Sequence, residues 1–284
     1  MLVNMLHPDL NVVVDRAFCN ASRAHPLSVN GTPAQRADTC SAWPLDCLVG
    51  LSRSGEDGKA IVDAIIRDRW VARLRQLTSR VDEFRNAMRE TGTILSGSVA
   101  LALLDVAAGF QPGDWDFYAP DEGFDGFCRF LKNDLHAIAK YTGFVDVYID
   151  DLQEQTDLAA QARNGITERR RFVLNGVRLD VLRSRSSSPS YPLAFFHSTV
   201  VMNFFHADGF AVAYPWSLFH RSNTASTRIT HTSARVAVEK YRGRGYTTFD
   251  TFHALWAADG RELTGCLPYG TCARAPRHFG DRAP

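Results

Sequence analysis

Along the first 57 residues isolated apolar positions are scattered among Pro, Gly, Ser, Asn and Asp, and neither a helical nor a strand period persists. This stretch reads as an irregular arm. From Gly58 the pattern changes, with Ile61, Ile65 and Ile66 at helical spacing. Then Trp70, Leu74, Leu77, Val81, Phe84 and Met88 step by four, three, four, three and four, which predicts one long amphipathic helix over 70–90, ended by Gly92. Thr93–Ser96 is a short apolar strand, and Gly97-Ser98 turns it into a helix of Val, Ala and Leu. Residues 114–118, Asp-Trp-Asp-Phe-Tyr, alternate polar with apolar as a half-buried strand does. A helix over 121–140 follows, capped by Asp121, with Phe124, Phe127, Leu131, Leu135 and Ile138 as its apolar face. Phe144–Ile149 predicts a strand. Ile166–Leu174 and Val177–Arg183 flank Asn175-Gly176, the two-residue signal of a hairpin.

After that hairpin, Arg183–Ser190 is a serine-rich, low-complexity linker. Pro192–Phe205 is apolar, Gly209–Tyr214 predicts a short strand, and Ser233–Tyr241 a helix. A basic Arg242-Gly-Arg-Gly turn follows it. Residues from about 259 form a loose tail rich in Gly, Pro and Arg. The expected organisation is an irregular arm over 1–57, a core over 58–190, and a C-terminal extension over 191–284 packing on that core. The fold class is α/β (α+β): a mixed sheet flanked by helices.

Chemistry enters at the strand over 114–118. Asp114 and Asp116 point to one face while Trp115 and Phe117 point to the other, so two carboxylates stand side by side. Like charges at that spacing repel unless a cation is shared between them. Gly97-Ser98, closing a strand and opening a helix, offers backbone N–H groups and a hydroxyl where a phosphate binds. Asp180, within the apolar run Val177–Leu182, adds a third carboxylate if the hairpin twists onto the edge of the sheet beside the first two.

Gly97-Ser98, the strand with Asp114 and Asp116, and Asp180 in its apolar setting together resemble the signature of the polymerase-β-like nucleotidyltransferase superfamily. The resemblance covers about residues 70–185, with the loop Gly109–Gly113 longer than the pattern usually has. It implies a metal-dependent nucleotidyltransferase that moves a nucleoside monophosphate to an acceptor hydroxyl by a two-metal mechanism. Asp114, Asp116 and Asp180 would be its catalytic and metal-binding residues, Gly97 and Ser98 its nucleotide-binding residues, and Mg²⁺ or Mn²⁺ its cofactor. A nucleoside triphosphate is the implied donor. The acceptor is left open, since relatives modify small molecules, nucleic acids and proteins. A catalytically inactive scaffold that binds a nucleotide or a protein is the alternative.

Composition narrows this further. The 284 residues are 45% hydrophobic, enough for one good-sized core. A net charge of +1 supplies no global field for nucleic acid or an anionic membrane, so a polynucleotide partner needs a local patch. Arg169, Arg170, Arg171, Arg178, Arg183 and Arg185 on the hairpin are such a patch, or a solvated face. Asp146 is a further candidate carboxylate. The six cysteines, Cys19, Cys40, Cys47, Cys128, Cys266 and Cys272, have no Cys-x-x-Cys spacing and are expected as reduced thiols. His197 and His206 fit no common ligand set. Without a signal peptide or a long apolar run, a soluble cytoplasmic protein with no membrane partner is expected.

Overall fold

The computed structural model describes residues 47–48, 51, 55–144, 165–214, 217–218, 220–224 and 232–249. Candidate Asp146, the strand expected over Phe144–Ile149 beyond its first residue, and the tail lie outside them. A seven-stranded mixed sheet runs in the order β3-β4-β5-β2-β1-β6-β7. Its strands are β1 (Ile94–Ser96), β2 (Asp114–Ala119), β3 (Ile138–Phe144), β4 (Ile166–Leu174), β5 (Val177–Ser184), β6 (Asn203–His206) and β7 (Gly209–Val212). The one parallel pairing in this sheet is β2 with β5, and the other neighbours are antiparallel. A separate parallel pair joins β8 (Ser222–Thr224) to β9 (Thr247–Phe249). The helices are α1 (Glu56–Leu77), α2 (Val81–Thr91), α3 (Gly97–Leu104), α4 (Phe124–Arg129) and α5 (Thr232–Arg242). The mixed α/β class is therefore as the sequence predicts. The sheet continues past the serine-rich linker, because β6 joins β1 at Leu95 and Phe205.

The apolar face of β2 explains the helical layer. Trp115 and Phe117 stack at 6.1 Å. Trp70 of α1 meets Trp115 at 6.5 Å, and Phe84 of α2 meets Phe117 at 5.5 Å and Phe127 of α4 at 5.7 Å. Leu179 and Val181 of β5 and Phe172 of β4 join the same core. The opposite face of the sheet carries a smaller apolar cluster, in which Ile94 and Tyr118 meet Leu193, with Ile166, Leu182, Phe196 and Phe204 packed against them. The same face carries Asp114 and Asp116 of β2, Arg178 and Asp180 of β5 and Arg171 of β4.

Three details differ from the sequence expectation. The helix over 70–90 is two helices, since Thr78 is extended and its Oγ1 accepts the Arg80 N–H at 3.1 Å. Thr and Ser compete for backbone hydrogen bonds, so Thr78-Ser79 breaks a helix that the apolar period runs straight through. Every member of that period remains buried. The helix over 121–140 shrinks to α4 and a π turn, Phe130–Asp134. Gly123 takes the N-cap position, Asp121 pairs with Arg183, and Ile138 opens β3 with its side chain 58% exposed. Finally, the β4–β5 hairpin lies inside the sheet rather than at its edge. Its turn is as expected, with Asn175 and Gly176 both left-handed at φ 49° and 80°.

Candidate metal and nucleotide site

Asp114 and Asp116 share a face of β2 because the strand period is two. Asp180 comes beside them because β5 runs parallel to β2 with Asp180 directly opposite Asp116 and Arg178 opposite Asp114. On the other flank of β2, Ser96 of β1 is opposite Asp116. Carboxylate oxygens of Asp114, Asp116 and Asp180 all lie within 4.8 Å of one another. The structure thus brings together the three aspartates singled out in the sequence.

Gly97 forms the tight step from β1 into α3, with φ +70°. A Cβ there would stand 2.7 Å from Oδ2 of Asp116, so only glycine lets the helix start pass so close to the carboxylate. Gly97 and Ser98 are buried, Ser98 at 3% exposure, and Ser96 donates its hydroxyl to the Asn203 carbonyl at 2.5 Å. The backbone N–H groups at the start of α3 therefore border the carboxylates.

The hairpin arginines divide between the two faces. Arg170 and Arg183 lie over the Phe124 ring at 4.7 and 4.5 Å and pair with Asp125 and Glu168 on the helical side. Arg169, Arg171 and Arg178 share the face of the aspartates. Arg171 holds Asp180 through Nε at 2.8 Å and Nη2 at 3.2 Å, Arg169 reaches the same carboxylate, and Arg178 pairs with Asp114. Burial pushes the Asp180 carboxyl upward, but the hydrogen bonds from Arg171 and Arg169 hold it below its ordinary value. Asp116 behaves oppositely: burial, then the charges of Asp114 and Asp180, push its carboxyl up to about 7.

Helix α5 closes the surroundings of the site. Lys240 lies within electrostatic reach of Asp116, while burial, with the charges of Asp116 and Asp114 among the smaller causes, pushes the Tyr241 phenol upward. His197 stacks on Tyr241 at 5.7 Å, and Arg244 lies over Phe110 at 4.1 Å. Burial first, then Lys240, pushes the His197 imidazole down to about 4. The sequence reading identified the helix but did not bring Lys240 or Tyr241 to the site. No local signal marks them, because their place depends on how α5 packs.

Three carboxylates in this cluster suit a hard divalent cation, since oxygen donors select such ions. Burial first, and the charges of Asp114 and Asp180 next, disfavour the Asp116 carboxylate, and a bound cation would favour it. Two arginines on Asp180 already compensate part of that charge. Among the described residues no other group of His, Cys, Asp and Glu side chains has metal-ligand spacing, and no helix is long and apolar enough to cross a membrane. Compared with protein-family models and with curated proteins, the chain matches none.

The Asp116 carboxyl makes a prediction about metal-free protein. Its value in the folded state, about 7, lies above the ordinary 3.8, so the native state binds the proton more tightly. That contribution to stability is full below about pH 4 and is lost as pH rises through about 7. In chelator, Asp116→Asn is expected to melt higher than the parent protein at pH 8 and to show a flatter melting curve between pH 4 and 8. Parallel pH profiles for the two proteins would show that burial and the neighbouring carboxylates do not raise the Asp116 carboxyl.

Proposed function

We propose that this protein is a divalent-metal-dependent nucleotidyltransferase of the polymerase-β-like kind, moving a nucleoside monophosphate from a triphosphate to an acceptor hydroxyl. The observation that carries the reading is the in-register meeting of Asp114, Asp116 and Asp180 beside the Gly97-Ser98 turn. Asp114, Asp116 and Asp180 would hold the cation, Mg²⁺ or Mn²⁺. Bound there, it would neutralise charge on the attacking and leaving oxygens. The N–H groups at the start of α3 and the Ser98 hydroxyl receive the β- and γ-phosphates. The acceptor oxygen forms a bond to the α-phosphorus, the bridging oxygen leaves with pyrophosphate, and the hydroxyl proton passes to solvent water.

One observation favours a second reading, a nucleotide-binding scaffold without turnover. Asp180 and Asp114 already have arginine partners within the chain, so the cluster is less starved of positive charge than three bare carboxylates. The discriminating experiment incubates the protein with labelled nucleoside triphosphates, Mg²⁺ or Mn²⁺ and a broad acceptor mixture. Pyrophosphate release with a labelled product supports the transferase. Metal-dependent triphosphate binding, seen as a raised melting temperature, without pyrophosphate supports the scaffold. No binding of either metal or triphosphate defeats both.

A further inference from the structure

The carboxylate face is asymmetric across its strands. On one flank of β2 stand β1 and the Gly97 step into α3; on the other stand β5 and β4, carrying Arg178, Arg171 and Arg169. Displacement at phosphorus is in line, with the entering and leaving oxygens on opposite sides of the phosphorus. A triphosphate with its β- and γ-phosphates at the start of α3 sends pyrophosphate off over β1. The entering hydroxyl then comes from the side of β5 and β4, so the acceptor lies over the arginines.

Those arginines are built as a receptor rather than as simple counter-ions. Two guanidiniums converge on the one carboxylate of Asp180, so on this face β4 and β5 carry more arginine than carboxylate, with Asp116 of β2 beside them. The carboxylate sits beneath, its side chain 3% exposed, while the Arg169 and Arg171 side chains are 20% and 31% exposed. Asp180 thus anchors the forks from below and presents them outward. Arg171 places only Nε and one terminal nitrogen on Asp180, and a guanidinium fork matches a phosphate with parallel hydrogen bonds. A neutral or cationic acceptor would gain nothing from this arrangement.

We infer that the acceptor is phosphorylated near the hydroxyl that is modified, and that Arg171 and Arg169, oriented by Asp180, bind that phosphate. The inference rests on the nucleotidyltransferase reading and names the acceptor class for the same site. Two sources supply the chemistry: a small sugar phosphate, or the 3′ end of a polynucleotide, whose terminal hydroxyl neighbours a phosphodiester. The chain's near-neutral charge makes this local patch the means of attraction for either.

The test is a binding measurement that needs no turnover. Protein saturated with Mg²⁺ and whichever of the four α,β-methylene nucleoside triphosphates binds is titrated calorimetrically with ribose, ribose 5-phosphate and a short oligoadenylate. At least one phosphorylated probe is expected to bind about tenfold or more tighter than ribose, the worth of a charge-assisted contact. Binding of ribose 5-phosphate assigns the small-molecule source; binding of the oligoadenylate alone assigns the polynucleotide end. Arg171→Gln, which leaves Arg169 on Asp180, is expected to erase most of that preference without changing affinity for the triphosphate analogue. Arg171→Lys keeps the charge over Asp180 and loses the fork, so it gives a folded variant with the same direction of loss should the glutamine variant not fold. Equal binding of ribose and both phosphorylated probes overturns the inference while leaving the transferase reading intact, as does a preference that survives in folded Arg171 variants. Failure of every triphosphate analogue to bind overturns both.

Discussion

Asp114→Ala and Asp116→Ala are each expected to lower nucleotidyl transfer by more than about 10³-fold, because either change removes charge stabilisation that no other group replaces. The two side chains occupy one face of one strand, and their backs are supported by Trp115 and Phe117 in the core. Truncating either therefore takes away a carboxylate without disturbing the packing that holds the other. Asp180→Ala is a poorer test of chemistry. It removes the carboxylate on which Arg169 and Arg171 converge, and breaking a buried ion pair costs about 3–5 kcal/mol of stability besides any effect on turnover. Pyrophosphate release, read beside the melting temperature, separates the cases. Asp114→Ala and Asp116→Ala should keep their fold and lose the reaction, and retention of a tenth of the parent rate in either would defeat the assignment.

A loss of stability as large is expected from Phe84→Ala, about 3–5 kcal/mol. The Phe84 ring is fully buried and meets Phe117 of β2, Phe127 of α4 and Phe130 of the π turn at 5.5, 5.7 and 5.9 Å. The Phe127 and Phe130 contacts are edge-on, the geometry in which aromatic pairs add to simple burial. The cavity left by alanine would open between α2, the sheet and α4 at once, and three elements cannot all close on it. Phe84→Leu should cost much less. The midpoint of urea unfolding measures both, and a Phe84→Ala midpoint within error of the parent would show that the helical layer repacks freely.

The polymerase-β-like resemblance rests on short motifs, and what those motifs share is local. A period of two places Asp114 and Asp116 on one face and Trp115 and Phe117 on the other, whatever the strand pairs with. Asn175-Gly176 specifies its hairpin because both residues accept positive φ, and Gly97 marks a step that a Cβ would block. The apolar period from Trp70 to Met88 correctly names the buried residues, though not the break at Thr78. Burial depends on which way a side chain faces, while helix continuity depends on backbone hydrogen bonds that Thr and Ser divert. Ile138 misleads for a related reason: one apolar residue in phase with a helix is weak against the pairing that Ala139 and its neighbours find on β4.

Beyond the Asn175-Gly176 hairpin, pairing partners were not legible. The sequence offers Asp180 an apolar strand, but only the parallel register of β5 on β2 sets it opposite Asp116, and a slip of one residue would have turned it into the core. The same register decides that Arg169, Arg171 and Arg178 face the aspartates while Arg170 and Arg183 face Phe124, and the packing of α5 decides that Lys240 approaches Asp116. Residues within a strand or turn are constrained by covalent geometry over a few bonds, so the amino-acid order alone determines their faces and turns. Contacts between segments separated by sixty residues or more are chosen by the burial of whole faces against one another, a sum over many side chains that the tertiary structure alone resolves.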